Sequence, residues 1–372
     1  PYTAELTVPY LRFRQVSPGQ TYTCGVTETN TGYCWGDSFV GVLGNGDEDT
    51  GQTTPVPVAG GLKFRSISAK YLHTCGVTTD GKAYCWGDNG DVGRLGLGNG
   101  WVDGRVLTPF LVVTTQRFES VHVGAWFTCG LTEDGLAYCW GEDRYGSLGD
   151  GTFVPHRGVP TPVTGGLTFA SITAGAQHAC GLTAGGLAYC WGEGVHGELG
   201  DGAEVNRPAP TPVQGGLTFK VVSAGNGYTC GVTTDGIGYC WGGEAHGRLG
   251  AGPGTGSSTP TQVEGDLTFQ DIATGQTTTC GLTMEGAAWC WGGLNLTGSL
   301  GQPYSDTPES NVPVPVSGGL AFDRISRDGG STCGLVPDDI WYCWGTNAWG
   351  QLGIGSYYPV AVPTPVPIWG QR

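Results

Sequence analysis

TCGVTTDGKAYCWG, residues 74–87, recurs seven times along the chain. Its copies begin at Thr23, Thr74, Thr128, Ala179, Thr229, Thr279 and Thr332. In each copy two cysteines stand ten positions apart and Trp-Gly follows the second. Folded as a β-hairpin, the stretch sets Cys75 opposite Cys85, Gly76 opposite Tyr84, Val77 opposite Ala83 and Thr78 opposite Lys82. The turn is Thr79-Asp80-Gly81, and a three-residue hairpin loop favours glycine at its left-handed third place. With Thr78–Lys82 a hydrogen-bonded pair, alternation makes Cys75–Cys85 a non-hydrogen-bonded one. Its Cα atoms would be roughly 4.5–5.5 Å apart, within disulfide reach.

The same geometry predicts seven cross-strand disulfides: Cys24–Cys34, Cys75–Cys85, Cys129–Cys139, Cys180–Cys190, Cys230–Cys240, Cys280–Cys290 and Cys333–Cys343. These pairs use all 14 cysteines. Two other readings exist. Buried cysteine can serve as a small apolar side chain. Zinc sites use C-x2-C knuckles with histidine partners, and the chain has no such knuckle.

The tryptophan after the second cysteine falls at 35, 86, 140, 191, 241, 291 and 344. A period near 50 residues with strand-like units predicts an all-β, seven-bladed β-propeller of four-stranded blades, one disulfide per blade. The repeats span approximately 11–61, 62–116, 117–166, 167–216, 217–266, 267–319 and 320–372. Each opens with an alternating segment such as TFASITAG (168–175), continues through the hairpin, and passes a Gly-rich loop ending in Leu-Gly. It closes on a Pro-punctuated strand such as TTPVPV (53–58) or PVPV (313–316). Proline cannot donate to a ladder, so these are expected as outer edge strands. On the hairpin, Tyr84 and Trp86 share one face, and Ala83 and Cys85 the other. Stacked blades would set the Tyr/Trp face of one against the disulfide face of the next.

The pattern F-x-x-[IV]-x-x-G-x-x-x-[TA]-C-G-L-T-x-x-G-x-A-Y-C-W-G-x-x-x-x-G-x-L-G resembles the regulator-of-chromosome-condensation repeat, over residues 11–372. The resemblance implies a seven-bladed propeller with about 50 residues per repeat, and the paired cysteines look like those of secreted bacterial relatives. The family's nuclear founder is a guanine nucleotide exchange factor that docks on a small GTPase and chromatin. No segment here matches those exchange contacts, so only the fold carries over.

Glycine (70) and proline (23) abound, 38% of residues are hydrophobic and 13% charged, a composition of short strands and tight turns. No apolar run reaches 18 residues, so no membrane span is expected. The net charge of −15 disfavours nucleic acid and anionic lipid. Complete pairing of cysteines indicates an oxidising compartment, and the expected location is secreted, extracellular or at the cell surface. The chain starts without methionine and contains only Met284, as in a mature or trimmed product.

Residues 1–10 lie outside the repeats as an extra N-terminal strand or arm. Thr3, Ala4, Glu5, Leu6, Thr7 and Val8 alternate like a strand, while the last repeat has its own closing strand, VPTPVPI (362–368). Two segments thus compete for one place. The N-terminal one could close the ring and free the other, add as a fifth strand, or pair with a neighbouring molecule as a candidate assembly strand. A disordered or expression-derived tail is the plainer reading.

No catalytic constellation stands out, and no catalytic or cofactor residue is assigned. His73 and His178 share one repeat position with Tyr22, Phe127, Tyr228, Thr278 and Ser331, a variation expected of a surface-lining site around the channel. Asp47-Glu48-Asp49 with Asp37, and Asp88 with Asp91, could hold calcium, but lack calcium-loop spacing. Asn295-Leu296-Thr297 is a glycosylation sequon. Loops 87–109, with Trp101, and 292–311 depart most from the consensus, and Tyr357, Tyr358 and Trp369 could anchor partners. The residues therefore point to a non-catalytic extracellular structural or binding propeller whose partner is a protein or a further copy of itself in a filament. A secreted monomeric binder or enzyme inhibitor using one propeller face is the alternative, and an enzyme with a site in the central funnel is least favoured.

Overall fold

A computed structural model describes residues 10–98, 104–293, 297–303, 309–359 and 361–371. It contains seven four-stranded antiparallel sheets arranged as propeller blades. Each blade is drawn from one repeat, in chain order from the channel outward. Blade 1 runs from the inner strand Phe13–Pro18 through Tyr22–Thr27 and Gly32–Gly36 to the outer strand Gln52–Pro57. Blade 7 begins at Arg324–Asp328 and ends on the outer strand Ala361–Pro367. The C-terminal strand therefore keeps its own place, and it is not freed by an N-terminal one. Residues 3–8, the candidate assembly strand, lie outside the described residues.

The hairpins have the expected register. Cys75 faces Cys85, Gly76 faces Tyr84 and Val77 faces Ala83. The Thr78 amide donates to the Lys82 carbonyl at 2.9 Å, and Gly81 closes the turn at φ +81°. Asn30 (φ +63°) and Asp339 (φ +60°) take this left-handed place in the first and last blades. All fourteen cysteines are paired as disulfides, one pair per blade, and no cysteine is free. Their Cα atoms are 4.0–4.1 Å apart, closer than the spacing expected from the ladder alone. The bond draws together a non-hydrogen-bonded pair, which no ladder bond holds at a fixed width.

Blades stack disulfide face to tryptophan face. Cys24 and Cys34 share an apolar cluster with Phe64 and Trp86 of the next blade, and Thr74 Oγ1 lies 4.0 Å from Cys24 Sγ. All seven repeat tryptophans are fully buried. The indole N–H of Trp86 donates to the Val42 carbonyl of blade 1 at 2.9 Å, and the Thr74 hydroxyl donates to that same carbonyl at 3.0 Å. Val42 immediately precedes Leu43-Gly44. This explains the Leu-Gly pair: Gly44 adopts φ +67°, and a Cβ there would lie 2.6 Å from Trp86 Nε1. At the closing joint Trp35 and Thr23 bond the Gln351 carbonyl at 3.0 and 2.7 Å. The ring thus closes by the contact used at three of its other joints.

Near the channel, side-chain hydroxyls join the inner strands of neighbouring blades. Ser17 accepts from the Ala69 amide, Ser68 from Val123, Thr173 from Ala224 and Ser223 from Thr274, at 3.0–3.1 Å. At the rim the outer strands carry proline at alternate positions. Val58 donates its amide inward to Gly32. Pro57 and Pro55, at odd steps from it, therefore stand where an amide would point outward. The place facing the third-strand aromatic is held by Pro57, Pro162, Pro212, Pro315 and Pro367, but by Leu111 in blade 2 and Gln262 in blade 5. Most blades so present an outer edge stripped of donors.

The shared carbonyl makes a double-mutant prediction. Thr74→Val should cost about 1 kcal/mol and Trp86→Phe about 2 kcal/mol in equilibrium urea unfolding. The double variant should cost about 1 kcal/mol more than their sum, because only then does the buried Val42 carbonyl lose both donors. Strict additivity would show that the carbonyl does not couple them.

Candidate functional site at the channel mouth

One end of the channel is ringed by the turns that join inner to second strands. The first turn residue is glycine in five blades: Gly19, Gly124, Gly175, Gly225 and Gly275. The two exceptions are Lys70 and Asp328, and they meet. Lys70 Nζ lies 3.6 Å from Asp328 Oδ1, and it donates to the Ala174 carbonyl at 3.0 Å. One lysine from blade 2 thus ties blades 4 and 7 across the mouth. Burial pushes the Asp328 carboxyl above its usual range, and the Lys70 charge acts against that shift.

Above this bridge lies a cavity of about 360 Å³. Tyr71, Trp126 and Tyr145 supply aromatic walls, and Gln177, Glu193, Asn226 and Gln276 supply polar ones. The Tyr71 and Trp126 rings are 5.2 Å apart. Tyr71 sits at φ +49°, a left-handed conformation that costs a non-glycine residue about 1–3 kcal/mol. Arg94 stacks over Trp126 at 4.7 Å while its Nη2 pairs with Asp88 Oδ2 at 2.7 Å. Burial raises the Glu193 carboxyl, and the neighbouring Glu198 adds to the shift. Below the bridge the channel narrows to small polar side chains, Ser68, Thr173 and Ser223 among them, with His122. Stacking walls with several carboxamides suit recognition of a ligand by shape and hydrogen bonding.

The histidine expectation needs correction. His73 and His178 do not line a surface; they are 0% and 1% exposed, between blades. His73 Nε2 lies 2.9 Å from Thr128 Oγ1, and His178 Nε2 lies 2.8 Å from Thr229 Oγ1. Tyr22 and Tyr228 hold the same repeat position and reach the next blade through their hydroxyls, to the His73 and Thr278 carbonyls. The position varies because several side chains can fill one inter-blade gap. Burial pushes His178 down to about 3 and His73 well below its usual value.

Four of the six acidic-loop carboxylates, those of Asp37, Asp47, Glu48 and Asp88, are engaged with the chain itself. Asp47 caps its own loop through the Asp49 amide and the Thr50 hydroxyl. Glu48 pairs with Arg105 at 3.1 Å, Asp37 accepts from Thr21 at 3.3 Å, and Asp88 belongs to Arg94. Among the described residues no group of three His, Cys, Asp or Glu side chains could hold a metal ion. The disulfides lie at 0–1% exposure inside the blade joints, away from the mouth. Tyr357, Tyr358 and Trp369 are exposed, and the Tyr357 hydroxyl bonds the Gly51 carbonyl of blade 1 at 3.0 Å. Trp101 and Asn295 lie outside the described residues.

The model of the regulator of chromosome condensation (RCC1) repeat matches residues 80–131, 134–182, 185–232 and 235–282. A second RCC1 repeat model matches 64–91, 118–147 and 169–198. The chain belongs to the RCC1 repeat family. It is 33% identical over 193 residues to the ultraviolet-B receptor UVR8 of Arabidopsis thaliana, covering 48% of this chain and 42% of that protein. It is 32% identical over 203 residues to the human E3 ubiquitin-protein ligase HERC2, covering 53% of this chain. The match spans only 4% of HERC2. In three dimensions it resembles human WBSCR16, with a TM-score of 0.80, 22% identity, and 90% and 94% of the two chains covered. It also resembles yeast RCC1 (Prp20), crystallised bound to Kap60, with a TM-score of 0.77, 19% identity, and 96% and 85% covered. These structures show the shared fold.

The four RCC1 windows run from one hairpin turn to the next, so each straddles a blade joint and contains the mouth turn. The repeat frame is where Lys70 and Asp328 were detectable. Both break a glycine position, and their opposite charges were the available signal. Tyr71, Trp126 and Gln177 carried no such signal, because their turns vary freely in every repeat.

Buried neutral histidines give a defined acid response. Their folded pKa values lie below the unfolded value of about 6.5, so the folded state binds fewer protons. Their contribution is complete above that pH and is lost as pH falls below it. A His73→Phe/His178→Phe variant, with the residue blade 3 already uses as Phe127, should show a flatter decline of Tm between about pH 6.5 and 4. An unchanged acid limb would place the response elsewhere.

Proposed function

We propose that this RCC1-family chain is a non-catalytic, extracellular binding propeller that joins copies of itself through Thr3–Val8. The observation that supports the reading is that all seven blades have four strands without those residues, so ring closure does not require them. The acceptor edge is the outer strand of blade 2, Arg105–Leu111. It lacks the second proline, so Leu111 keeps an outward amide. Leu111 and Val113 are also 45% and 50% exposed, an apolar match for the Leu6 and Val8 face of the incoming strand. In blade 5 the same place is the polar Gln262. Seven disulfides support an oxidising location. The similarity to yeast RCC1, which was solved with a protein bound, supports binding as the mode of action.

The prediction concerns polymers. Negative-stain microscopy and light scattering of the full chain should reveal concentration-dependent assemblies, lost on deleting residues 1–10. Leu111→Pro, a residue tolerated at this place in five other blades, should abolish them while leaving Tm unchanged within about 2 °C. Assembly that survives Leu111→Pro but not the deletion would move the acceptor edge elsewhere. A monodisperse monomer at all concentrations would overturn self-assembly.

That last result would favour the second reading, a monomeric binder or enzyme inhibitor. The observation behind it is a patch at the joint of blades 7 and 1, where Phe39 and Trp349 are about half exposed beside Glu48 and Asp49. Location is tested through the cysteines. Protein purified from its native host should take up no iodoacetamide before reduction and label at all 14 cysteines after it. Labelling without reduction would remove the extracellular argument.

A further inference from the structure

We propose that the channel mouth is a binding site for a neutral carbohydrate. Its cavity of about 360 Å³ falls within the range of small-molecule sites. Tyr71 and Trp126 present half-buried rings, and an aromatic face packs against the C–H face of a pyranose. The carboxamides of Gln177, Asn226 and Gln276 come from three consecutive blades, and among the described residues they make no side-chain hydrogen bond within the chain. Each offers both a donor and an acceptor, the combination that vicinal hydroxyls need. The Glu193 carboxylate adds an acceptor.

The charges at the mouth argue against ionic ligands. An anion would need a free cation. Lys70 is held by Asp328 and the Ala174 carbonyl, and Arg94 by Asp88 and the Ala125 carbonyl. A cation would find one carboxylate available in Glu193, while the carboxamide N–H groups would face its charge with nothing to donate to. A neutral polyhydroxyl ligand uses all six groups. The turns themselves are tied by main-chain bonds, Gly175 to His178 and Gly225 to Tyr228 among them, so the site stands preformed. It lies at the channel axis, away from the blade 2 rim, and is independent of self-assembly.

The test is saturation-transfer NMR of the full chain against maltose, cellobiose, lactose and N,N′-diacetylchitobiose, followed by titration calorimetry. At least one disaccharide should show transfer to its ring protons. Trp126→Ala should weaken that binding about tenfold or more, and Gln177→Ala/Gln276→Ala likewise. Leu187→Ala, at an exposed hairpin turn on the opposite face, should leave it unchanged. Circular dichroism confirms that each variant folds. Transfer to none of the four sugars, binding unaffected by both mouth variants, or transfer only to the cationic probe N-acetyl-lysine methylamide would each overturn the proposal.

Discussion

The ring rests on a single carbonyl per joint. The residue before each Leu-Gly turns its main-chain oxygen into the next blade. There, in four joints, it receives both the tryptophan indole and the threonine hydroxyl: Gln351, Val42, Glu198 and Arg248. Such a carbonyl is buried and must be satisfied, so the geometry of the joint is set by hydrogen bonding and not by apolar contact alone. The other three joints use fewer donors or a different one, and at the joint of blades 2 and 3 Thr128 alone bonds the Arg94 carbonyl at 3.0 Å. At the joint of blades 6 and 7, Arg327 donates to the Ser299 carbonyl at 3.3 Å and to the Thr332 hydroxyl. Blade 4 carries Ala179 in place of threonine, and there Trp191 alone bonds the Ser147 carbonyl at 3.1 Å.

The other regularities follow from that contact. An indole that must reach a main-chain oxygen brings its ring against the loop, and only a residue without Cβ, already at positive φ, fits beneath it. The opposite side of the ring packs on Phe64 or its equivalents, with centroids 5.5–6.0 Å away. The facing blade must then present a thin, flat surface, which a disulfide between closely spaced strands supplies. By loop-closure entropy a crosslink over ten residues stabilises by about 3 kcal/mol, mainly by limiting how far an isolated hairpin can open. With four strands in every blade, closure needs no strand exchange. Here Phe13–Pro18 and Ala361–Pro367 belong to different, complete blades.

Much of this was legible in the sequence because it repeats. The hairpin register, the disulfide pairing and the outer proline strands each depend on local spacing, and seven copies average away the noise of any one. The two-faced blade was legible from strand alternation alone. What could not be read was which side of a blade joint a variable residue occupies. His73 looked like a channel-lining residue because its position tolerates Tyr, Phe, Thr and Ser. Tolerance there reflects a gap of adjustable size between blades, not exposure to solvent. The mouth was illegible for the converse reason. Lys70 and Asp328 are 258 positions apart, and only ring closure brings them together. The acidic stretch 47–49 lacked calcium-loop spacing in the sequence, and in the structure Asp47 accepts from the Asp49 amide and Thr50 hydroxyl while Glu48 pairs with Arg105.

The separation of frame from site has a physical basis in how the mouth turns are built. In five blades the first turn glycine donates its amide to the carbonyl three residues on: Gly19 to Tyr22, Gly124 to Phe127, Gly175 to His178, Gly225 to Tyr228 and Gly275 to Thr278, at 2.7–3.0 Å. These bonds use main-chain atoms only. The turn therefore holds its shape whatever side chains its next two positions carry, whereas the residue three positions onward packs into the joint. Variation at those two positions leaves the frame untouched. The turns of blades 2 to 7 converge there on one small volume. A change in any one turn alters a site shared by several, and the frame beneath registers none of it.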